Sequence, residues 1–380
     1  MRSPRFIALL LSSLFFSAFI PSISYAAITA KKVPPLFQVP SDIRAISSDQ
    51  QSFALVGDSI HLLPRQARSF DEARTISSSA KLFTDVTSSK SDFFAVGVAE
   101  SAVVISRELP TEVLNPDSIT VAAKSEIPVG LTRLVISQFS IRSETATETI
   151  YDLDRPLIPA EILVTSDRIG VVGSVASDLG RQGFLALISR SSGEFSFFTF
   201  GSSGTSINSL ANLSTLYGMS DERLAGSDRR GLRDGVIFYL DKRSTLTRVI
   251  RSFQASTARE WSKVSSSHLA VGSAVRGKTS EVAVTKFTAK GEPSWFFRLP
   301  GREGSLSGST VGMITTQKIP GISNFAPRAP AAIFISLDMK KKGAFRGALS
   351  IPARTLKDMN DGLALVVDRE GLTQVIPLSF

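Results

Sequence analysis

Short apolar runs, each a few residues long and broken by Ser, Gly, Asp, Arg or Lys, recur along the chain from about residue 41 onward. The fullest unit is Ser267 to Gly301. An apolar strand, His268 to Val271, closes on Gly272, and a polar loop leads to a second strand, Glu281 to Phe287. The chain then turns at Lys290-Gly291 into a third strand around Trp295 to Leu299. Comparable second runs are Phe184 to Ile188, Val236 to Leu240, Ala331 to Leu337 and Leu363 to Val367, apolar at nearly every position. A half-buried strand would alternate, so these runs predict strands covered on both faces, as in sheets stacked between neighbours. Each run ends in a turn rich in Asp, Lys, Ser or Gly, and glycine there supplies the dihedrals that tight hairpins require.

The first strands of these units end on a small residue, giving anchors at Gly57, Gly97, Ser137, Gly173, Gly226, Gly272 and Gly312, spaced by 36 to 53 residues and by about 42 on average. That is the period of propeller blades. The predicted fold is therefore all-β, a single β-propeller of seven blades, with six or eight as the alternatives and a non-repeating all-β fold as the competitor. The C-terminal hairpin, Leu363 to Leu378, lacks a recognisable first strand. Because a ring must close without an open edge, it is expected to complete a blade with strands from 41–65, bringing the chain ends together. Only Thr257 to Val264 and Pro352 to Met359 have helical spacing, and both are too short for independent helices.

Apolar strands closing on Gly-Ser, at Gly173-Ser174, Gly226-Ser227 and Gly272-Ser273, followed by a variable loop, an apolar strand and an Asp- or Gly-bearing turn, resemble bacterial SBBP-type and delta-60-type β-propeller repeats. The resemblance covers roughly 165 to 350. It implies an exported, ring-shaped protein and does not state an activity. The chain departs from the pattern at Ser137, which stands for glycine, at Thr288, where the usual aspartate is missing, and across 101–165, which fits poorly.

Residues 1–26 have the form of a secretory signal: Arg2 and Arg5, an apolar run from Phe6 to Ile20, Pro21, and Ser24-Tyr25-Ala26 as the cleavage site. The apolar run is short for a membrane span of about 30 Å. Residues 27–40 carry prolines at 34, 35 and 40 and read as an extended leader, with the propeller occupying 41–380. The chain has no cysteine, which removes disulfides, thiolate metal sites and Cys nucleophiles. Its formal charge is +9, and +7 without Arg2 and Arg5, a balance that favours anionic polymers or surfaces.

One motif match needs an answer. Gly272 to Thr279 satisfies G-x-x-x-x-G-K-[ST], yet a strand and not a helix follows it, so the segment is predicted to be a hairpin loop and no nucleotide is expected. The only histidines, His61 and His268, are read as packing or edge residues. Asn360-Asp361-Gly362 resembles the turn of a calcium loop without its glutamate. No cofactor and no metal site is indicated. The strongest basic clusters are Arg229, Arg230 and Arg233, and Lys340, Lys341 and Lys342 with Arg346, all in predicted loops or turns and together the candidate binding residues. The expected protein is a secreted or cell-surface, non-enzymatic binding module, monomeric, taking an anionic cell-wall polymer or another surface protein as partner; no nucleic acid is expected. The alternative is a hydrolase or lyase acting on extracellular glycans, with Tyr151, Asp152 and Asp154 as candidate residues.

Overall fold

The short runs fold into strands whose two faces belong to different cores, and this is what builds a ring. The computed structural model describes residues 28–101, 104–108, 124–128 and 130–380; the expected signal lies outside them. From the axis outward, the first sheet contains Ala45–Ser48, Ser52–Val56, Ile60–Pro64 and Arg74–Ile76. The second contains Leu82–Ser89, Asp92–Ala99, Arg133–Phe139 and Thr147–Asp152, and a separate hairpin, Val104–Glu108 with Lys124–Pro128, lies in one of its connections. The third contains Leu157–Val164, Arg168–Ser177, Gly180–Ser189 and Phe195–Phe200, and the fourth Thr205–Asn212, Thr215–Ser220, Asp234–Leu240 and Leu246–Ser252. The fifth contains Ala258–Val264, Leu269–Arg276, Thr279–Phe287 and Pro293–Pro300.

The sixth sheet differs. Its four strands Arg302–Ser307, Thr310–Thr315, Ala331–Asp338 and Ala344–Pro352 are extended outward by Ile28–Lys32 and Ile322–Ser323. The seventh contains Thr355–Asn360, Leu363–Val367, Thr373–Pro377 and, outermost, Phe37–Val39. Each innermost strand packs on the innermost strand of the next sheet, and Thr355–Asn360 returns to Ala45–Ser48, closing the ring. The fold is thus an all-β propeller, but not one of seven like blades. Six sheets are four-stranded blades, and a six-stranded sheet fills the remaining sector.

Stacking explains the near-continuous apolar runs. In Ala331–Asp338, Ile333 and Ile335 pack with Val271 and Val284 of the fifth sheet, whereas Ala332 and Phe334 pack with Leu356 and Val366 of the seventh. Every second residue therefore leaves water on a different side, at roughly 2 kcal/mol per buried side chain.

The anchor glycines also have a mechanical reason. Innermost strands carry β-bulges, between Pro159 and Glu161 and between Trp261 and Lys263 for example, and the glycine of the second strand lies opposite, with Gly173 facing Pro159 and Gly272 facing Trp261. A Cβ on Gly272 would sit 1.8 Å from the Glu260 carbonyl oxygen. Only glycine allows the bulged backbone to come that close. The same position in the fourth sheet is Gly218, opposite Ile207, so Gly226 was misassigned; it lies in the following connection. Ser137 was also misassigned, since it sits in Arg133–Phe139, the third strand of the sheet that already contains Gly97.

Three further expectations are corrected. Of the expected leader 27–40, the described residues 28–40 are not free, because Ile28–Lys32 pairs in parallel with Ala344–Pro352 and Phe37–Val39 pairs antiparallel with Thr373–Pro377. The C-terminal hairpin therefore closes its blade with Phe37–Val39, not with strands from 41–65, and its inner strand is Thr355–Asn360. Thr257 to Val264 and Pro352 to Met359 hold strands, Ala258–Val264 in the first and the end of Ala344–Pro352 with Thr355–Asn360 in the second, and the only helical turn among the described residues is Phe70–Glu72.

Closure through Phe37 is open to test. Its ring is buried, edge-on to Phe53 of the first sheet at 5.7 Å, in the core between seventh and first sheets. Phe37→Ala should lower stability by about 3 to 5 kcal/mol in urea unfolding. A loss under about 0.5 kcal/mol, the range of ordinary surface changes, would show that the ring closes without this strand.

Candidate functional site

The bulges that demand glycine also turn polar side chains toward the axis and the neighbouring sheet. A central cavity of about 300 Å³ is lined by residues from these bulges, among them Asp85, Asn208, Lys263, Glu303 and Lys357. Carboxylates gather here, but each is occupied by the adjoining sheet. The Asp85 carboxylate accepts the Ile162 amide at 2.9 Å, Glu161 accepts the Leu210 amide at 2.6 Å, Glu303 accepts the Leu356 amide at 2.7 Å, and Asp358 accepts the Ile46 amide at 3.0 Å. In the fourth sheet Ser209 does the same, its hydroxyl accepting the Val264 amide at 2.9 Å. These are clasps between consecutive inner strands, buried at Asp85, Asp358 and Ser209 and part-buried at Glu161 and Glu303.

One lysine serves three acids. The Lys263 ammonium lies 2.9 Å from Glu161. Burial alone would lower its pKa; Glu161, Asp85 and Asp358 reverse that and hold it above its ordinary value. Burial pushes Asp85 up to about 7, with Lys263 opposing and Asp358 and Glu161 adding to the rise. Burial raises Asp358 as well. Among the described residues no group of three or more His, Cys, Asp or Glu is placed to hold a metal ion, and no helix is long and apolar enough to cross a membrane. These central residues escaped sequence reading. Their one signal was a lone charge inside a short buried strand.

The predicted binding residues divide between the two ends of the ring. Strands alternate in direction, so connections between second and third strands emerge at the same rim as those between sheets, and the remaining connections emerge at the opposite rim. Loop 221–233 joins the second and third strands of the fourth sheet; turn 339–343 joins the third and fourth of the sixth. Arg229, Arg230 and Arg233 therefore lie at one rim and Lys340, Lys341 and Lys342 at the other, so they form no single surface. The lysines are exposed on a turn held by the Asp338 carboxylate, which accepts the Lys340 amide at 3.0 Å, and Arg346 is exposed on the strand beyond.

Loop 221–233 is internally built. The Arg251 guanidinium donates to the Glu222 carbonyl at 2.6 Å and the Ser227 carbonyl at 3.0 Å, and pairs with Asp234 at 3.2 Å. Asp234 also accepts the amides of Arg230 and Gly231. Glu222 reaches back to the connection from the third sheet. Burial opposes its ionisation, but hydrogen bonds from Ser202, Thr205 and the Ser202 and Gly204 amides hold its pKa at about 2. On this frame Arg233 pairs with Glu260 at 3.0 Å, and Arg230 lies over the Phe253 ring at 5.0 Å. Leu232 and Phe253 are 60% and 43% exposed, large apolar groups left at a polar rim.

Other candidates lie apart from the cavity. Tyr151 and Asp152 are on the outermost strand of the second sheet, where Tyr151 stacks on Phe195 at 4.0 Å and Asp152 pairs with Arg133 at 2.7 Å. Asp154 follows that strand and pairs with Arg155 at 3.3 Å. His61 contacts the Thr75 hydroxyl at 3.2 Å, and His268, in a turn, contacts the Tyr217 hydroxyl at 3.3 Å. Gly272 to Thr279 is a β-hairpin turning at Gly277-Lys278, with Arg276 paired to Thr279. Asn360-Asp361-Gly362 is the turn between the first two strands of the seventh sheet.

The Asp85 environment has a pH signature. With a folded pKa near 7 against an ordinary 3.8, the folded state holds a proton that the unfolded chain has released. Stability should fall as pH rises from about 4 through 7 by at most about 1.4 kcal/mol per pH unit from this group. Asp85→Asn, which keeps an acceptor for Ile162, should gain on the wild type across that window and stay parallel above it. Urea unfolding from pH 4 to 9 reads the difference, and a flat or falling difference contradicts the assignment.

No protein-family model matches the chain, and no curated protein does. Solved structures similar to it over most of its length include a chain of "Crystal Structure of Mitotic Checkpoint Complex" (10% identity, 96% of this chain and 98% of that chain, TM-score 0.47). Two more are the computationally designed Ika8 protein (11% identity, 90% and 99%, TM-score 0.42) and the β-propeller domain of the Trilobed protease from Pyrococcus furiosus (8% identity, 89% and 97%, TM-score 0.48).

Proposed function

We propose that this chain is an exported, non-enzymatic binding module that holds an anionic cell-wall polymer on the rim carrying loop 221–233. The observation that carries the reading is the Arg230 guanidinium over Phe253, beside the exposed Leu232 and Arg229. A cation laid on an aromatic face, with apolar surface next to it, offers a polymer both charge and a flat contact. The loop is fixed by Arg251, Asp234 and Glu222, so little ordering entropy opposes binding. Arg233 contributes less, being committed to Glu260, and the lysine turn 340–342 serves the opposite rim. Export rests on the signal pattern of residues 1–26.

Binding of this kind releases counterions, so retention on an immobilised anionic wall polymer should weaken steeply between about 50 and 200 mM salt. Replacing Arg229 and Arg230 by serine should reduce retention and flatten the salt dependence, with thermal stability unchanged because exposed charges contribute little to it. Retention that survives both high salt and the double change would overturn the proposal.

A further inference from the structure

We propose that the cleft between the outer halves of the fourth and fifth sheets binds a small organic monocarboxylate, its anionic end on Arg259 and Arg298 and its apolar body against Phe296. The cleft encloses about 210 Å³ and is lined by Arg251, Arg259 and Arg298 on a floor of Ile250 and Phe287, with no carboxylate in its wall. Arg251 is paired with Asp234 and Arg298 with Glu281. Arg259 has no carboxylate partner within salt-bridge distance among the described residues; its guanidinium lies over Trp261 at 5.7 Å. Three cations against two carboxylates leave one uncompensated charge, which a monoanion neutralises.

Two further observations point to an anion here. The Arg251 side chain is 3% exposed, and its Nε is buried without a hydrogen-bond partner among the described residues. Burial, and next the charge of Arg298, lower Arg259 to about 10 against the opposing pull of Asp234 and Glu281, so this cation sits where water serves it poorly. A planar carboxylate matches the guanidinium fork. The cavity holds about seven water volumes at roughly 30 Å³ each, which suits a ring or short chain and is too small for a nucleotide. Phe296, 56% exposed on the outermost strand, supplies the apolar wall that such a body would cover. The cleft does not use Arg229 or Arg230, though it shares Arg251 with the loop that carries them.

Titration calorimetry with benzoate tests it, using benzyl alcohol as the neutral body and inorganic phosphate as the anion without a body. Benzoate should bind saturably, with benzyl alcohol and phosphate each weaker by about tenfold or more. Arg259→Gln should weaken benzoate by about tenfold or more, as loss of a charged hydrogen-bond partner does. Phe296→Ala, at an exposed position that folding does not need, should weaken it severalfold and carries the test if Arg259→Gln does not fold. The Arg229→Ser, Arg230→Ser chain should bind benzoate as the wild type does. No saturable benzoate binding, affinity unchanged in folded Arg259→Gln and Phe296→Ala, or equal binding of either control would overturn the proposal.

Discussion

The ring depends on hydrogen bonds that cross from one sheet to the next near the axis, where a side chain of one inner strand accepts an amide of its neighbour. Stacked sheets have slippery apolar faces, since Val, Ile and Phe contacts favour burial over register. The bonds from Asp85 to Ile162, Glu161 to Leu210, Ser209 to Val264, Glu303 to Leu356 and Asp358 to Ile46 are directional and fix that register. They exist because a bulge places an extra residue at the right depth; glycine faces the bulge across the ladder at Gly97, Gly173, Gly218, Gly272 and Gly312, and Val366 and Leu365 face it at Asp358. The remaining junctions use other means: Ser262 donates to the Gly304 carbonyl between fifth and sixth sheets, and the Phe83 amide to the Gly57 carbonyl between first and second.

Each of these carboxylates commits an oxygen to this task, which shapes the functional reading. A cluster of acids at a propeller axis is a natural place to seek catalysis, but here their oxygens face amides of the next sheet and share the Lys263 charge. The two proposed binding regions lie outside the axis, at loop 221–233 and in the cleft of Arg259. Both rest on the fourth and fifth sheets, and Arg251 belongs to both: it ties the loop through Glu222 and Ser227 while lining the cleft.

Strand grammar was legible in the sequence because burial on two faces removes the alternation that other sheets keep, as Ile333, Phe334 and Ile335 show. The glycine anchors were legible where the bulge forces backbone contact, at Gly97, Gly173 and Gly272, and misread where a loop or a third strand mimicked the pattern, at Gly226 and Ser137. The segment before residue 41 was misread through its prolines. They lie between and after Ile28–Lys32 and Phe37–Val39, outside both strands, so neither ladder loses an amide to them. Charge clusters were visible as composition, but their rim depends on the parity of strands before them, which periodicity alone does not supply. The clasps were invisible because a single Asp or Lys in a short strand carries no mark of the amide it will meet.

Native-state hydrogen exchange reads the inter-sheet bonds most directly. If they hold the ring, the amides of Ile46, Ile162, Leu210, Val264 and Leu356 exchange only through global unfolding, with the same opening free energy as the slowest amides of the chain. Exchange of these five through smaller openings than those of the outer strands would show that the sheets are held by apolar stacking alone, and would contradict the account.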